Sequence, residues 1–117
     1  MKKIKEIIPT TLLTFIILTA SANAAEFACQ ADEIVEFGAR IHVRCANSYE
    51  LASGDDIRYI AIGKDDIAKA NRFTSLGTTA VVSGYIFYVK MPEESDSNVP
   101  GCQTNDCRTP SAFGIRY

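Results

Sequence analysis

Residues 39–45, ARIHVRC, alternate strictly between two kinds of side chain, and this pattern decides the expected fold class. One face carries Ala39, Ile41, Val43 and Cys45, and the other carries Arg40, His42 and Arg44. A period of two is typical of an antiparallel strand with one face buried and one face polar. We therefore predict a half-buried strand over residues 39–45.

The segment before this strand, EFACQADEIVEF (26–37), is predicted to be its antiparallel partner. The connecting turn is expected around Phe37-Gly38. Adjacent Ile34 and Val35 break the alternation, which indicates a β-bulge in the partner strand. The sequence thus predicts a hairpin at the start of the domain.

Three more strands are predicted further along the chain. IRYIAI (57–62) is rich in residues that favour strands, and it follows a polar loop, ANSYELASGDD (46–56). YIFYVKM (85–91) is apolar on both faces, which favours a central strand. SAFGIRY (111–117) is predicted to be a short final strand.

Between residues 65 and 84 the pattern changes to that of a helix. Apolar residues recur every three or four positions, at Ile67, Ala70, Phe73, Leu76 and Ala80. Asp65 and Asp66 suit the positive end of a helix dipole, and Ser83-Gly84 is a typical C-terminal stop. We therefore predict one amphipathic helix in this region.

The first 24 residues have the form of a secretory signal peptide. Lysines at positions 2, 3 and 5 precede an uncharged apolar run (7–20), and Ala22-Asn23-Ala24 is a typical cleavage site. The alternative is an uncleaved anchor, but the apolar run is short for a membrane span. We expect cleavage after Ala24, a secreted or periplasmic domain over residues 25–117, and no stable membrane span.

The charge of the exported part argues against nucleic acid as a partner. The whole chain has a net charge of −2, and cleavage would remove three lysines and one glutamate, which leaves a more acidic domain. An acidic domain is repelled by phosphate backbones and anionic membranes. We therefore expect no nucleic-acid binding.

The four cysteines all lie after the predicted signal peptide, so they are expected to form two disulfides. The predicted hairpin places Cys29 opposite Cys45. Cys102 and Cys107 can then close a short loop through QTND (103–106). The spacing of this second pair is wrong for a zinc knuckle or a thioredoxin-like centre, so no metal site is predicted.

The predicted order, β-β-β-α-β-β, is that of an OB-fold-like five-stranded barrel, here with two disulfides. An α+β sandwich would contain the same elements, so this alternative stays open. The length of the exported part suits one domain over residues 25–117.

From the helix onward, residues 70–91 and GCQTNDCR (101–108) resemble the B subunits of the subtilase cytotoxin and typhoid toxin family, and the resemblance covers roughly residues 40–110. The shared features are the Ser83-Gly84 turn, the strand after it, a close cysteine pair, and an earlier cysteine at the position of Cys45. This chain is shorter than those B subunits, and none of their sugar-binding residues can be placed on it. Thr79, Ala80 and Val81 stand where those proteins carry an aromatic cluster.

The resemblance implies an AB5 toxin B subunit with an OB-fold, assembled as a homo-pentamer. Such a subunit would bind sialylated or related host glycans and deliver a separate catalytic A subunit. A row of side chains on the predicted strand, Arg40, His42 and Arg44, is the candidate ligand-binding site. A guanidinium group could hold the carboxylate of a sialic acid. The alternatives for this row are a solvated surface or a subunit contact.

The residues offer little support for catalysis. His42 is the only histidine, and a solvated position on the strand is favoured over a role as general base. The flanking arginines are expected to lower its pKa. Asp55-Asp56 and Asp65-Asp66 are explained by turn and helix capping, and no known catalytic motif is present. We therefore predict a binding protein, not an enzyme, that needs no cofactor.

The leading functional hypothesis is thus an exported B-type subunit that binds glycans. The main alternative is a monomeric periplasmic OB-fold protein that binds a small ligand or another protein. A secreted hydrolase that uses His42 is a third possibility.

Overall fold

The chain folds into two β-sheets and one long helix, seen in a computed structural model that describes residues 25–92 and 99–116. The elements in chain order are β1 (Ala25–Cys29), β2 (Ala31–Glu36), β3 (Arg40–Glu50), β4 (Asp56–Gly63), α1 (Ile67–Ser83), β5 (Ile86–Met91), β6 (Cys107–Arg108) and β7 (Ala112–Arg116). The predicted signal peptide and its cleavage site after Ala24 lie outside the described residues. Within those residues no helix is long and apolar enough to cross a membrane.

The strands form a three-stranded sheet in the order β1-β5-β7 and a four-stranded sheet in the order β2-β3-β4-β6. All neighbouring strands are antiparallel except β4 and β6, which run parallel. The prediction of a mainly β fold with one helix is confirmed, as is the central position of β5. Within residues 25–92 and 99–116 the hydrogen-bonded strands form two sheets and not a closed barrel.

The predicted strand over residues 26–37 is in fact two strands that belong to different sheets. The chain passes from one sheet to the other at Gln30. There the side chain of Asn47 forms hydrogen bonds with backbone groups next to the bend. Gln30 N donates to Asn47 Oδ1 at 2.9 Å, and Asn47 Nδ2 donates to Ala28 O at 2.9 Å. Because Asn47 satisfies both groups, the chain can leave one sheet and enter the other.

Strand β3 is longer than predicted, because residues 46–50 continue it where a polar loop was expected. The ring of Tyr49 packs on Phe27, with 5.2 Å between the ring centroids. The bulge in β2 was also predicted at the wrong place, since the register shifts between Ala31 and Glu33. Ile34 and Val35 are instead paired in regular register, with Val43 and His42 of β3.

Helix α1 confirms the predicted helix and its ends. Asp66 is the N-cap and accepts a hydrogen bond from Lys69 N at 3.1 Å. Gly84 adopts a left-handed conformation with φ of 74° and donates to Ala80 O. One expectation is wrong: Ile67 is 71% exposed and does not belong to the buried face of the helix.

A close approach between the helix and the four-stranded sheet explains the glycine in the middle of α1. A Cβ atom at Gly77 would lie 2.8 Å from Ile34 Cδ1 and 3.0 Å from Val43 Cγ2. The glycine weakens the helix by about 1 kcal/mol relative to alanine, but it lets the helix lie directly on β2 and β3.

The main core lies between the two sheets and the helix. Phe73 from α1 packs edge-to-face on Phe87 of β5 and Phe113 of β7, at 5.4 and 5.1 Å between ring centroids. The predicted disulfide Cys29–Cys45 is present and fully buried in this core. It connects β1 in one sheet with β3 in the other, so it joins the two sheets where a link across one hairpin was expected.

Candidate functional site

The predicted ligand-binding residues lie on the outer face of the four-stranded sheet. In β3 the side chains of Ile41, Val43 and Cys45 belong to the main core. Because side chains alternate along a strand, Arg40, His42 and Arg44 project from the opposite face. His42 is paired in register with Val35 of β2 and with Ala61 of β4.

This outer face is partly covered by residues 99–107, which we call the disulfide loop. The predicted Cys102–Cys107 disulfide is present, with 5.2 Å between the Cα atoms. Val99 and Cys107 bury Ala61 in a small second core. The backbone N–H groups of Arg58 and Tyr59 both donate to the carbonyl of Asp106, at 2.9 and 3.0 Å. The loop is thus attached to the edge of the sheet by main-chain hydrogen bonds and apolar contacts.

Between the loop and the sheet lies a cleft of about 370 Å³, which we call the loop cleft. The sheet contributes Arg40, His42 and Tyr59 to its walls. The disulfide loop contributes Gly101, Gln103, Asp106 and Cys107. Its volume lies within the range of small-molecule sites in proteins.

Arg40 connects the disulfide loop with the sheet. Its guanidinium carbon lies 4.2 Å from the centre of the Phe37 ring, and Nη1 donates to Pro100 O at 3.1 Å. Gly101 lies directly against the guanidinium, since a Cβ atom there would overlap Nη1 and lie 2.7 Å from Cζ. The guanidinium therefore lies between the Phe37 ring and the loop backbone, and its Nη1 donates to that backbone.

His42 is buried, and this corrects the prediction of a solvated position on the strand. Its exposed fraction is 9%, and its ring packs between Phe37 and Tyr59, at 5.2 and 5.0 Å between ring centroids. Glu33 Oε1 is 3.6 Å from Nε2, which is too far for a hydrogen bond. Within the described residues the buried Nε2 has no hydrogen-bond partner.

Burial lowers the pKa of His42 below its ordinary value of 6.5. The nearby Glu33 carboxylate opposes this effect, and the positive charges of Arg40 and Arg44 add to it. The direction agrees with the expectation from the flanking arginines, but the largest cause is the loss of hydration. His42 is therefore neutral at pH 7.

Arg44 does not line the loop cleft, although it shares the face of β3 with Arg40 and His42. Its Nε donates to Asp32 Oδ1 at 2.9 Å, and Nη1 is 3.9 Å from Glu33 Oε2. The hydrogen bond with Asp32 raises the pKa of Arg44. The predicted row is thus divided: Arg40 and His42 belong to the cleft, and Arg44 belongs to an ion-pair cluster with β2.

An ion pair that sequence reasoning missed fixes the end of the disulfide loop. Arg108 is 2% exposed, and its Nη2 donates to Asp55 Oδ2 at 3.0 Å. Its Nη1 donates to the carbonyl of Cys107 at 2.9 Å and also to that of Thr104. Asp55 was assigned to turn capping, but 53 residues separate it from Arg108, so no local pattern could reveal the pair.

Gln103 and Asp106 were also missed as members of the site, and Tyr59 was considered for ligand stacking but favoured as a core residue. The cysteine spacing predicted a closed loop around Gln103 and Asp106, but it gave no reason to place that loop against β3 and β4. Across residues 25–92 and 99–116 no group of three histidine, cysteine or carboxylate side chains is arranged to hold a metal ion. The cleft is a polar site whose lining includes one aspartate, one glutamine and one arginine that donates to Pro100 O.

No family model matches the chain, and neither the curated proteins nor the solved structures contain a match.

Proposed function

We propose that the exported domain is a binding subunit that recognises cell-surface glycans through the loop cleft. The observation that carries this proposal is the cleft itself, where Arg40, Tyr59, Gln103 and Asp106 meet on one side of the sheet. Hydrogen-bond donors and acceptors beside an aromatic ring suit a sugar, which presents both hydroxyl groups and apolar C–H faces.

The order of the strands supports the OB-fold part of the proposal. β1 and β2 are separated only by Gln30, and β6 and β7 only by residues 109–111, so each pair can be counted as one bent strand. This gives five strands with the helix between the third and the fourth, as expected for a partly open OB-fold barrel. The toxin B subunits that the sequence resembles share this layout.

We further propose that the subunit assembles as a homo-pentamer and delivers a catalytic A subunit. Single sugar sites of this size bind weakly, and several copies on one particle would raise the avidity for a cell surface. An enzymatic role for His42 is disfavoured, because a general base must reach the proton it removes and the Nε2 atom is buried.

The first test uses the oxidised domain that begins at Ala25. Native mass spectrometry should give a species with the mass of a homo-pentamer, and a glycan array should show binding to a defined group of structures. A monomer at every concentration that still binds a small ligand would favour the alternative, a periplasmic OB-fold protein. The cleft volume is compatible with such a ligand. Failure to bind any saccharide would contradict the main proposal.

A further inference from the structure

The side chains that line the loop cleft favour one class of saccharide over another. Building on the proposed function, we infer that the cleft binds an uncharged, polyhydroxylated sugar and discriminates against sugars that carry a carboxylate. The contacts and the charges of the side chains in or near the cleft support this inference.

Arg40, the cationic side chain that lines the cleft, is held in place by Phe37 and by the disulfide loop. Arg40 lies on the Phe37 ring, donates to Pro100 O and is in contact with the backbone at Gly101. A forked interaction with a carboxylate needs two parallel N–H groups. A fork that used the Nη1 hydrogen donated to Pro100 O would have to break that hydrogen bond. Reorienting Arg40 towards a ligand would break its contacts with the disulfide loop.

The other two members of the predicted row contribute no positive charge to the cleft. Arg44 forms ion pairs with Asp32 and Glu33 and does not line the cleft. His42 does line it, but it is neutral at pH 7 because burial lowers its pKa. Protonation of this ring would place a charge on a residue that is only 9% exposed.

The cleft also contains an acidic residue, so the charge of Arg40 is not the only one in its lining. The half-buried Asp106 lines it and forms none of the ion pairs found in residues 25–92 and 99–116. A carboxylate accepts hydrogen bonds from sugar hydroxyl groups and repels a second carboxylate. The exposed amide of Gln103 offers a donor and an acceptor at the same wall. This set of groups matches hydroxyl groups better than it matches an acidic sugar.

The experiment compares matched glycans that differ only in a terminal sialic acid, for example lactose and 3′-sialyllactose, on the oxidised domain. We expect stronger binding to the neutral members of the pairs. We also expect little change in their affinity between about 50 mM and about 500 mM NaCl, because screening acts on charge pairs. Binding only to sialylated members, weakened by salt, would overturn the inference and leave the proposed function intact. Binding to neither class would overturn both.

The variant Asp106→Asn tests the role of the carboxylate. Its backbone contacts with Arg58 and Tyr59 are kept, so the loop should remain in place. We expect a loss of affinity for the neutral sugar of roughly fivefold or more, and a smaller preference over the sialylated partner. Asp65→Asn, at an exposed aspartate outside the cleft, is the matched control and should change neither value. An unchanged preference in Asp106→Asn would contradict the assigned role.

Discussion

At the scale of single residues, His42 makes the free energy of unfolding of the domain depend on pH. Its folded-state pKa is below the ordinary value of 6.5, so the unfolded chain takes up a proton at a higher pH than the folded chain. The contribution of neutral, buried His42 to the free energy of unfolding is complete above pH 6.5. It is lost as the pH falls below 6.5, because the unfolded chain then binds a proton more readily than the folded chain. Glu33 limits the loss, because its carboxylate lies 3.6 Å from Nε2.

We expect the variant His42→Gln to show a weaker decrease in stability with falling pH than the wild-type protein. The measurement is urea denaturation at a series of pH values from about 8 to about 5, a range that contains the ordinary histidine pKa. The comparison of the two proteins isolates His42, because the carboxyl groups titrate in both. Parallel stability curves for the two proteins would show that His42 is not the source.

Gly101 is a second residue whose identity the structure explains. Its φ is 82°, a conformation that costs a residue with a side chain about 1–3 kcal/mol, and Arg40 occupies the space of a Cβ atom. We expect Gly101→Ala to destabilise the protein by about 1–3 kcal/mol, to displace Arg40 and to weaken ligand binding.

The matched control for Gly101→Ala is Gly54→Ala. Gly54 also has a positive φ, 96°, but no atom lies within 4 Å of the position of its Cβ. Both variants place an alanine at a positive φ, which destabilises the protein. Only in Gly101→Ala does the new Cβ atom also overlap Arg40. Equal effects on stability and on ligand binding would show that the contact with Arg40 is unimportant. Chemical denaturation and sugar titration measure the two effects.

At the scale of secondary-structure elements, the Asp55–Arg108 pair fixes β6 to the turn before β4. We expect Asp55→Ala to destabilise the protein by roughly 2–4 kcal/mol, because it removes the carboxylate that accepts a hydrogen bond from the buried Arg108 guanidinium. The neighbouring Asp56→Ala is the control, since the Asp56 side chain is exposed and forms none of the ion pairs in residues 25–92 and 99–116. Thermal and urea unfolding of both variants would reveal the difference. Similar values for the two aspartates would contradict the assignment.

Elements determined by local signals could be predicted from the sequence. Asp66 and Gly84 mark the ends of α1 because capping acts within a few residues. The bend at Gln30 could not be predicted, since its backbone groups are satisfied by Asn47, 17 residues away. For the same reason the site was predicted only in part: Arg40 and His42 follow from alternation, whereas Asp106 reaches them through tertiary contacts of the disulfide loop.

At the scale of the whole molecule, the two disulfides have different functions. Cys29–Cys45 connects the two sheets inside the main core, whereas Cys102–Cys107 closes the loop that forms one wall of the cleft. Replacement of Cys29 and Cys45 by serine should destabilise the domain by about 2–5 kcal/mol. The same change at Cys102 and Cys107 should leave the core folded but strongly reduce sugar binding. Circular dichroism and titration of both double variants test this; loss of the fold in the second variant would contradict it.

The pairing in the three-stranded sheet also has a mechanical consequence. Ala25 in β1 is paired with Met91 at one end of β5, and Arg116 in β7 is paired with Ile86 at the other end. A force that pulls Ala25 and Arg116 apart would act along the strands. The hydrogen bonds between β1 and β5 and between β5 and β7 would then bear the load at the same time and would not break one after another. We expect a high unfolding force in single-molecule stretching through these two positions. A low force would show that the strands separate one bond at a time. The domain would therefore resist a force applied between Ala25 and Arg116 better than a force that peels β1 or β7 from the edge of its sheet.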